Sequence, residues 1–130
     1  ARYSGNIWMA QRPFGGPEYL LPAPVSEGTK RGMDYNHMAR VTSWNPAQRY
    51  GLNRKGDIAE GYDADIAIVD PARTWTISAK DSPSTQGYTP FEGLEMSARV
   101  DATFLRGTKI FEDGQVIGKP IGQYLHRPTA

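Results

Sequence analysis

The stretch KGDIAEGYDADIAIVD, residues 55–70, decides how this chain is read. A Gly-Asp turn precedes Ile58, Gly61 permits a second turn, and residues 64–69 form a short, mainly apolar run bracketed by Asp65 and Asp70. A run of that length between turn residues predicts a buried strand. Pro71 ends it, because proline has no N–H to offer a continuing ladder. Asp63 and Asp65 lie two apart at the start of the strand, so their side chains share a face. A pair of that kind can do general acid–base work. Turn carboxylates that satisfy backbone N–H groups have the same spacing, and that structural role is the preferred reading.

Working outward, the chain changes character near Leu52. Residues 2–24 are rich in Pro, Gly and aromatics, with a PFGGP turn at residues 13–17. Pro17 is placed to open a short helix, with Glu18 at its positive end. Gly28 and Gly32 are read as punctuating the next turn. Asp34 is the expected N-cap of a helix through Met38, Ala39 and Val41. Asn45 and Pro46 read as a cap and first turn of another short helix, ending at Gly51.

Beyond Leu52 the pattern is strands and turns. Strands are expected over residues 66–69, 74–78, 99–105, 108–112 and 115–117, with Trp75 and Ile77 on one face. Arg106-Gly107 and Asp113-Gly114 join the last three as hairpins. Residues 79–92 form a polar loop, and residues 119–130 an extended arm. Helices followed by strands predict an α+β piece. The strands are few and short, so a complete sandwich is not expected of this segment alone.

Composition narrows the classes. The 15 Lys and Arg nearly balance the 14 Asp and Glu, leaving +1, which gives no electrostatic case for nucleic acid or acidic membranes. No apolar run approaches the roughly 20 residues of a membrane helix. The absence of cysteine excludes disulfides, thiolate nucleophiles and cysteine-ligated metals, and fits a cytoplasmic protein. The start, ARYSGNIWMAQRP, has neither an apolar signal segment nor an initiating Met, so a segment of something longer is expected.

No catalytic constellation can be assembled from these residues. His37 and His126 are far apart in sequence and in no ligand-like spacing. Ser26, Ser43 and Ser78 lack a G-x-S-x-G context and a histidine partner. Glu92 and Glu95 are expected at the surface. Gly15 and Gly16 match no phosphate-binding loop, although a Gly-Gly turn does bring backbone N–H and C=O groups within reach of a small polar ligand.

The motifs, in their order, resemble the C-terminal end of the cyclic amidohydrolases. These are RPFGGPEYLLPAPVSEGTKRG, VTSWNPAQRYGL, NRKGDIAEGYDADIAIVDP, ISAKDSPSTQGYTPFEGLEM and FLRGTKIFEDGQVIGKPIGQYLHR. Coverage is nearly end to end. NPA followed by KGxIAxGxDAD is similar to the superfamily at large. YTPFEG and the GKP…GQYL…R tail resemble the D-hydantoinase and dihydropyrimidinase branch more narrowly than dihydroorotases or allantoinases.

The resemblance implies a (β/α)₈ barrel with a small β-sandwich domain built from both chain ends. In that frame residues 1–52 are the final barrel loop and helices, 53–118 the closing part of the sandwich, and 119–130 an arm. It implies hydrolysis of a cyclic amide by two divalent metals, commonly zinc, bridged by a carboxylated lysine and a hydroxide that attacks the ring carbonyl. None of those metal ligands maps onto this sequence; they belong to barrel strands that would precede Ala1. The resemblance places substrate contact at the backbone of Phe14, Gly15 and Gly16. Phe14 stands where hydantoinases usually carry Asn, and Leu21 where they often carry Arg. Partners implied are a small cyclic amide, the N-terminal barrel portion and further copies in a homo-dimer or homo-tetramer. The alternative within the resemblance is a non-catalytic dihydropyrimidinase-like scaffold that keeps the fold without the metal ligands.

Overall fold

A computed structural model describes residues 15–126. Gly16 leads into a single 3₁₀ turn, Pro17–Tyr19, with proline at its first position as expected. The Tyr19 N–H donates to the Gly16 carbonyl at 3.0 Å. A helical segment then spans residues 22–30, with a π-helical turn at Pro24–Gly28. Nothing in the sequence pattern announced it, and it corrects the reading of Gly28 as a turn residue. The chain reverses instead at Gly32, whose φ is +82°. Gly28 stays helical because packing overrides its weak propensity, at a cost of about 1 kcal/mol relative to alanine. A Cβ there would sit 3.2 Å from Met38 Cε and 3.3 Å from Met33 Sδ, so the bare backbone lets both methionines close in.

The next helix starts where expected. Asp34 accepts a hydrogen bond from the His37 N–H at 2.7 Å, capping α1 (Tyr35–Ala39). It does not stop before Asn45. A π-helical turn, Arg40–Trp44, carries it directly into α2 (Asn45–Tyr50), so Asn45 is not a cap and Pro46 starts no separate helix. The widened turn explains this. The Asn45 N–H reaches the Arg40 carbonyl five residues back, and proline, which would otherwise clash with a carbonyl one turn back, is accommodated. Gly51, at φ +62°, closes the helix in the left-handed conformation favoured at this position.

Among the described residues six strands follow: β1 (Ile66–Asp70), β2 (Trp75–Thr76), β3 (Glu95–Met96), β4 (Arg99–Leu105), β5 (Thr108–Glu112) and β6 (Gln115–Val116). All pairs are antiparallel, in a four-stranded sheet ordered β1-β4-β5-β6 and a two-stranded ribbon of β2 and β3. The two expected hairpins form. Arg106 and Gly107 have φ of +47° and +78°, and Asp113 and Gly114 +47° and +86°, the pair of positive values a type I′ turn demands.

Three expectations change. The strand at residues 74–78 shortens to two residues, although Ile77 still exchanges backbone bonds with Leu94 and Gly93, both 2.9 Å. Its partner β3 was not foreseen, since two residues behind a polar loop carry no periodicity. Lastly β1 is not buried. Among the described residues it is an edge strand with Ala67 and Ile68 exposed, because there it pairs with β4 alone.

The core crosses the compositional break at Leu52. Tyr19, Ile77 and Met96 form a buried cluster with Ala23, Trp75 and Phe91 against it. The Trp75 indole N–H donates to the Ala98 carbonyl at 2.7 Å. The buried Ser26 hydroxyl accepts from the Ser97 N–H at 3.1 Å, fastening the helical segment to the strands. Residues 117–126 contain no helix or strand, and the Arg106 guanidinium donates to the Ile121 carbonyl at 2.5 Å.

Candidate functional site

Of the three candidate substrate-contact residues, Gly15 and Gly16 are described and Phe14 lies outside the described residues. Gly15 and Gly16 lead into the Pro17–Tyr19 turn, and Gly15 rests on the loop between β2 and β3; residues 13–14 of the expected PFGGP turn lie outside the described residues. A Cβ on Gly15 would lie 2.7 Å from both Cβ and Oγ of Ser84. Three residues on, the Glu18 carboxylate accepts a hydrogen bond from the Ser82 hydroxyl at 2.6 Å. Tyr19 then enters the core, edge-on to Phe91 at 5.6 Å and stacked on Trp75 at 6.4 Å. The Gly16 carbonyl already accepts one bond from the Tyr19 N–H.

The Asp63 and Asp65 pair forms an ionic clasp. Lys55 donates to both carboxylates, at 2.9 Å to Asp63, while Arg54 donates to the other Asp63 oxygen at 2.6 Å. The second oxygen of Asp65 accepts the Arg106 backbone N–H at 2.8 Å. Backbone bonds reinforce the junction, from Asp63 N–H to Arg54 O and from Gly107 N–H to Ala64 O, both 2.9 Å. Three turns, around residues 54–56, 63–65 and 106–107, are thereby pinned together. The hydrogen bond from Lys55 holds the Asp63 carboxyl below the usual carboxylate range. For Asp65, burial pushes upward, but the bonds from Lys55 and the Arg106 N–H prevail and its pKa also falls. Burial pulls Lys55 down, and its bonds to Asp65 and Asp63 more than offset this, so it is raised. Both acids are thus ionised acceptors with no proton to give near neutrality, which fits the structural reading. Sequence reasoning missed Lys55 and Arg106; the KG…DAD spacing was the available signal.

An open cavity of about 710 Å³ lies between the helices and β1, with Met38, Thr42, Ala47, Ile66 and Val69 among its walls. Lys55 and Asp65 reach it, already bonded to each other. His37 is exposed on α1, and His126 meets the Tyr124 ring edge-on at 4.8 Å. Ser26 is buried, and the Ser78 hydroxyl accepts from the Lys80 N–H at 3.3 Å. Among the described residues no group of three or more His, Asp or Glu is placed to hold a metal ion. They therefore do not fit the metal pair that the resemblance implies. Among them, too, no helix is long and apolar enough to cross a membrane.

Among the described residues, a Gly-Gly segment braced by a β-loop and a KG…DAD clasp leading onto an antiparallel sheet make no self-contained active site. Residues 18–110 match the amidohydrolase family, and the chain belongs to it. It is 38% identical over 121 residues to an allantoinase of Rubrobacter xylanophilus, covering 92% of this chain and 27% of that protein. It is 46% identical over 104 residues to a dihydroorotase of Pyrococcus abyssi, covering 79% and 26%. Its fold is similar to a D-hydantoinase from a Bacillus species, AR9, with a TM-score of 0.72 and 35% identity over 82% of this chain and 24% of that one. The chain spans about a quarter of the length of these relatives.

Proposed function

We propose that this chain is the C-terminal quarter of a metal-dependent hydrolase that opens cyclic amide rings. The observation carrying this is similarity across 92% of the chain to an enzyme named for one such ring, alongside likeness to others named for different rings. In this reading residues 1–52 end a (β/α)₈ barrel, residues 53–118 belong to a β-sandwich, and residues 119–130 form an arm. The backbone of Phe14, Gly15 and Gly16 touches the ring, and the metal ligands lie outside these residues. Zinc or another divalent pair would supply the nucleophile in the complete enzyme; this chain's part is to hold and orient substrate. YTPFEG and the GKP…GQYL tail favour a hydantoin or dihydropyrimidine over allantoin or dihydroorotate. The complete protein is read as a cytoplasmic homo-oligomer.

The test is turnover by the complete, metal-replete protein of hydantoin, dihydrouracil, allantoin and dihydroorotate, followed as loss of ring-amide absorbance. Hydrolysis of at least one is expected. A folded complete protein, purified with excess zinc, that opens none of them overturns the proposal, and one that also retains no metal leaves the scaffold reading in its place. The 130-residue chain alone, with added zinc, is expected to hydrolyse none above background, and turnover by the pure piece would refute the argument that its residues hold no metal pair.

A further inference from the structure

We propose that Ser82 and Ser84 are positioning residues that set the place of the Gly15–Gly16 segment, so that a loop of the β-rich region tunes ring selectivity. This rests on the reading of residues 14–16 as the substrate contact. The contacts form one connected relay. The Ser82 hydroxyl donates to Glu18 at 2.6 Å and accepts the Ser84 N–H at 3.1 Å. The Ser84 hydroxyl in turn accepts the Gln86 N–H at 3.4 Å and presses on Gly15. The loop has a closed base, since the Ala79 N–H donates to the Glu92 carboxylate at 2.7 Å and Ile77 bonds Gly93 and Leu94. A braced loop of this kind transmits its position to whatever it touches.

What it touches is Gly15 and the Pro17–Tyr19 turn that follows. Gly15 is held by sterics, Glu18 by a charge-assisted hydrogen bond, and Tyr19 by the buried aromatic cluster. Among the described residues, the missing side chain of Gly15 permits the close approach to Ser84. A small displacement of a backbone that binds the ring weakens ground state and transition state alike, which raises KM with little change in kcat. Ser82 and Ser84 are 64 and 69 residues away from Glu18 and Gly15 in sequence, and only the folded chain brings them together.

The experiment uses the complete protein with four rings as substrates and hydrogen exchange of the amides of Gly16 and residues 18–21. Ser82→Ala is expected to raise KM about five- to tenfold with kcat within about twofold, and to change the ratio of five- to six-membered ring turnover. Ser82→Thr, which keeps the hydroxyl, is expected to stay near the parent. Gly15→Ala should raise KM, Ser84→Ala added to it should not help because the clashing Cβ remains, and Ser84→Gly added instead should restore KM to within about threefold. The same variants should speed or restore exchange at Gly16 and residues 18–21 while β4 and β5 stay unchanged. Faster exchange with unaltered KM and ring ratio would overturn the inference, as would unaltered exchange. Should the parent protein open no ring, the function proposed above fails, and the exchange pattern still decides whether Ser82 and Ser84 position that segment.

Discussion

Replacing Gly56 by alanine should destabilise the junction on which the helices and strands meet. Gly56 sits at φ +86°, where an L-residue is strained by about 1–3 kcal/mol. A Cβ there would also lie 2.6 Å from the Ala47 Cβ and 2.7 Å from the Ser43 carbonyl oxygen. The second neighbour is helix backbone and cannot rotate away, so the clash adds about 1–3 kcal/mol of overpacking. Gly61 supplies the control. Its φ is +85°, none of the described residues lies within 4 Å of its Cβ position, and Gly61→Ala should therefore show the strain alone. Equilibrium urea unfolding of the complete protein, followed by the fluorescence of Trp44 beside Ser43, would compare the two. Gly56→Ala should be the less stable by about 1–3 kcal/mol, or roughly 5- to 150-fold in the folding equilibrium. Ala47→Gly should not rescue it, since the Ser43 carbonyl remains. Equal midpoints for the two alanine variants, or full rescue by Ala47→Gly, would refute the argument from close approach.

Two other outcomes are expected. Because Asp63 and Asp65 titrate below their usual 3.8 in the folded state, their contribution is present above pH 3.8 and lost as pH falls through the lowered values. Because Lys55 titrates above its usual 10.5, its contribution is full below pH 10.5 and lost as pH rises through the raised value. Lys55→Met in the complete protein should therefore flatten both limbs of the stability profile, measured as thermal midpoint against pH, and an unchanged acid limb would contradict the clasp. Trp75→Phe removes the donor to the Ala98 carbonyl and part of a half-buried ring. A loss of about 1–3 kcal/mol is expected in urea unfolding, and a neutral result would remove the hydrogen bond from the account of the core.

The family and the local punctuation of this chain were legible in its residues. Asp34 could be read as a cap, Gly51 as a helix end, and Arg106-Gly107 and Asp113-Gly114 as primed turns, because each depends on backbone geometry within a few residues. The motif order from PFGGP to GKP pointed to the cyclic amidohydrolases for the same reason, since it is a property of the string. Longer-range consequences were not legible. Residues 22–30 became helical, and Pro46 passed into a continuous helix, because packing and a widened turn outweighed proline and glycine propensities. In β1 the apolar composition was visible but its exposed edge position was not, as that depends on which strands lie beside it.

The stretch at residues 55–70 shows the division most plainly. Its sequence by itself determined two glycine turns, a strand stopped by Pro71, and a pair of same-face aspartates. Only the tertiary structure decided that Lys55 lies between those aspartates, that Arg106 arrives from 41 residues beyond Asp65 to donate its N–H, and that Gly56 lies against the helix. The same holds for Ser84 against Gly15. Periodicity and turn chemistry act over a few bonds, whereas contacts between distant residues are set by the path of the whole chain.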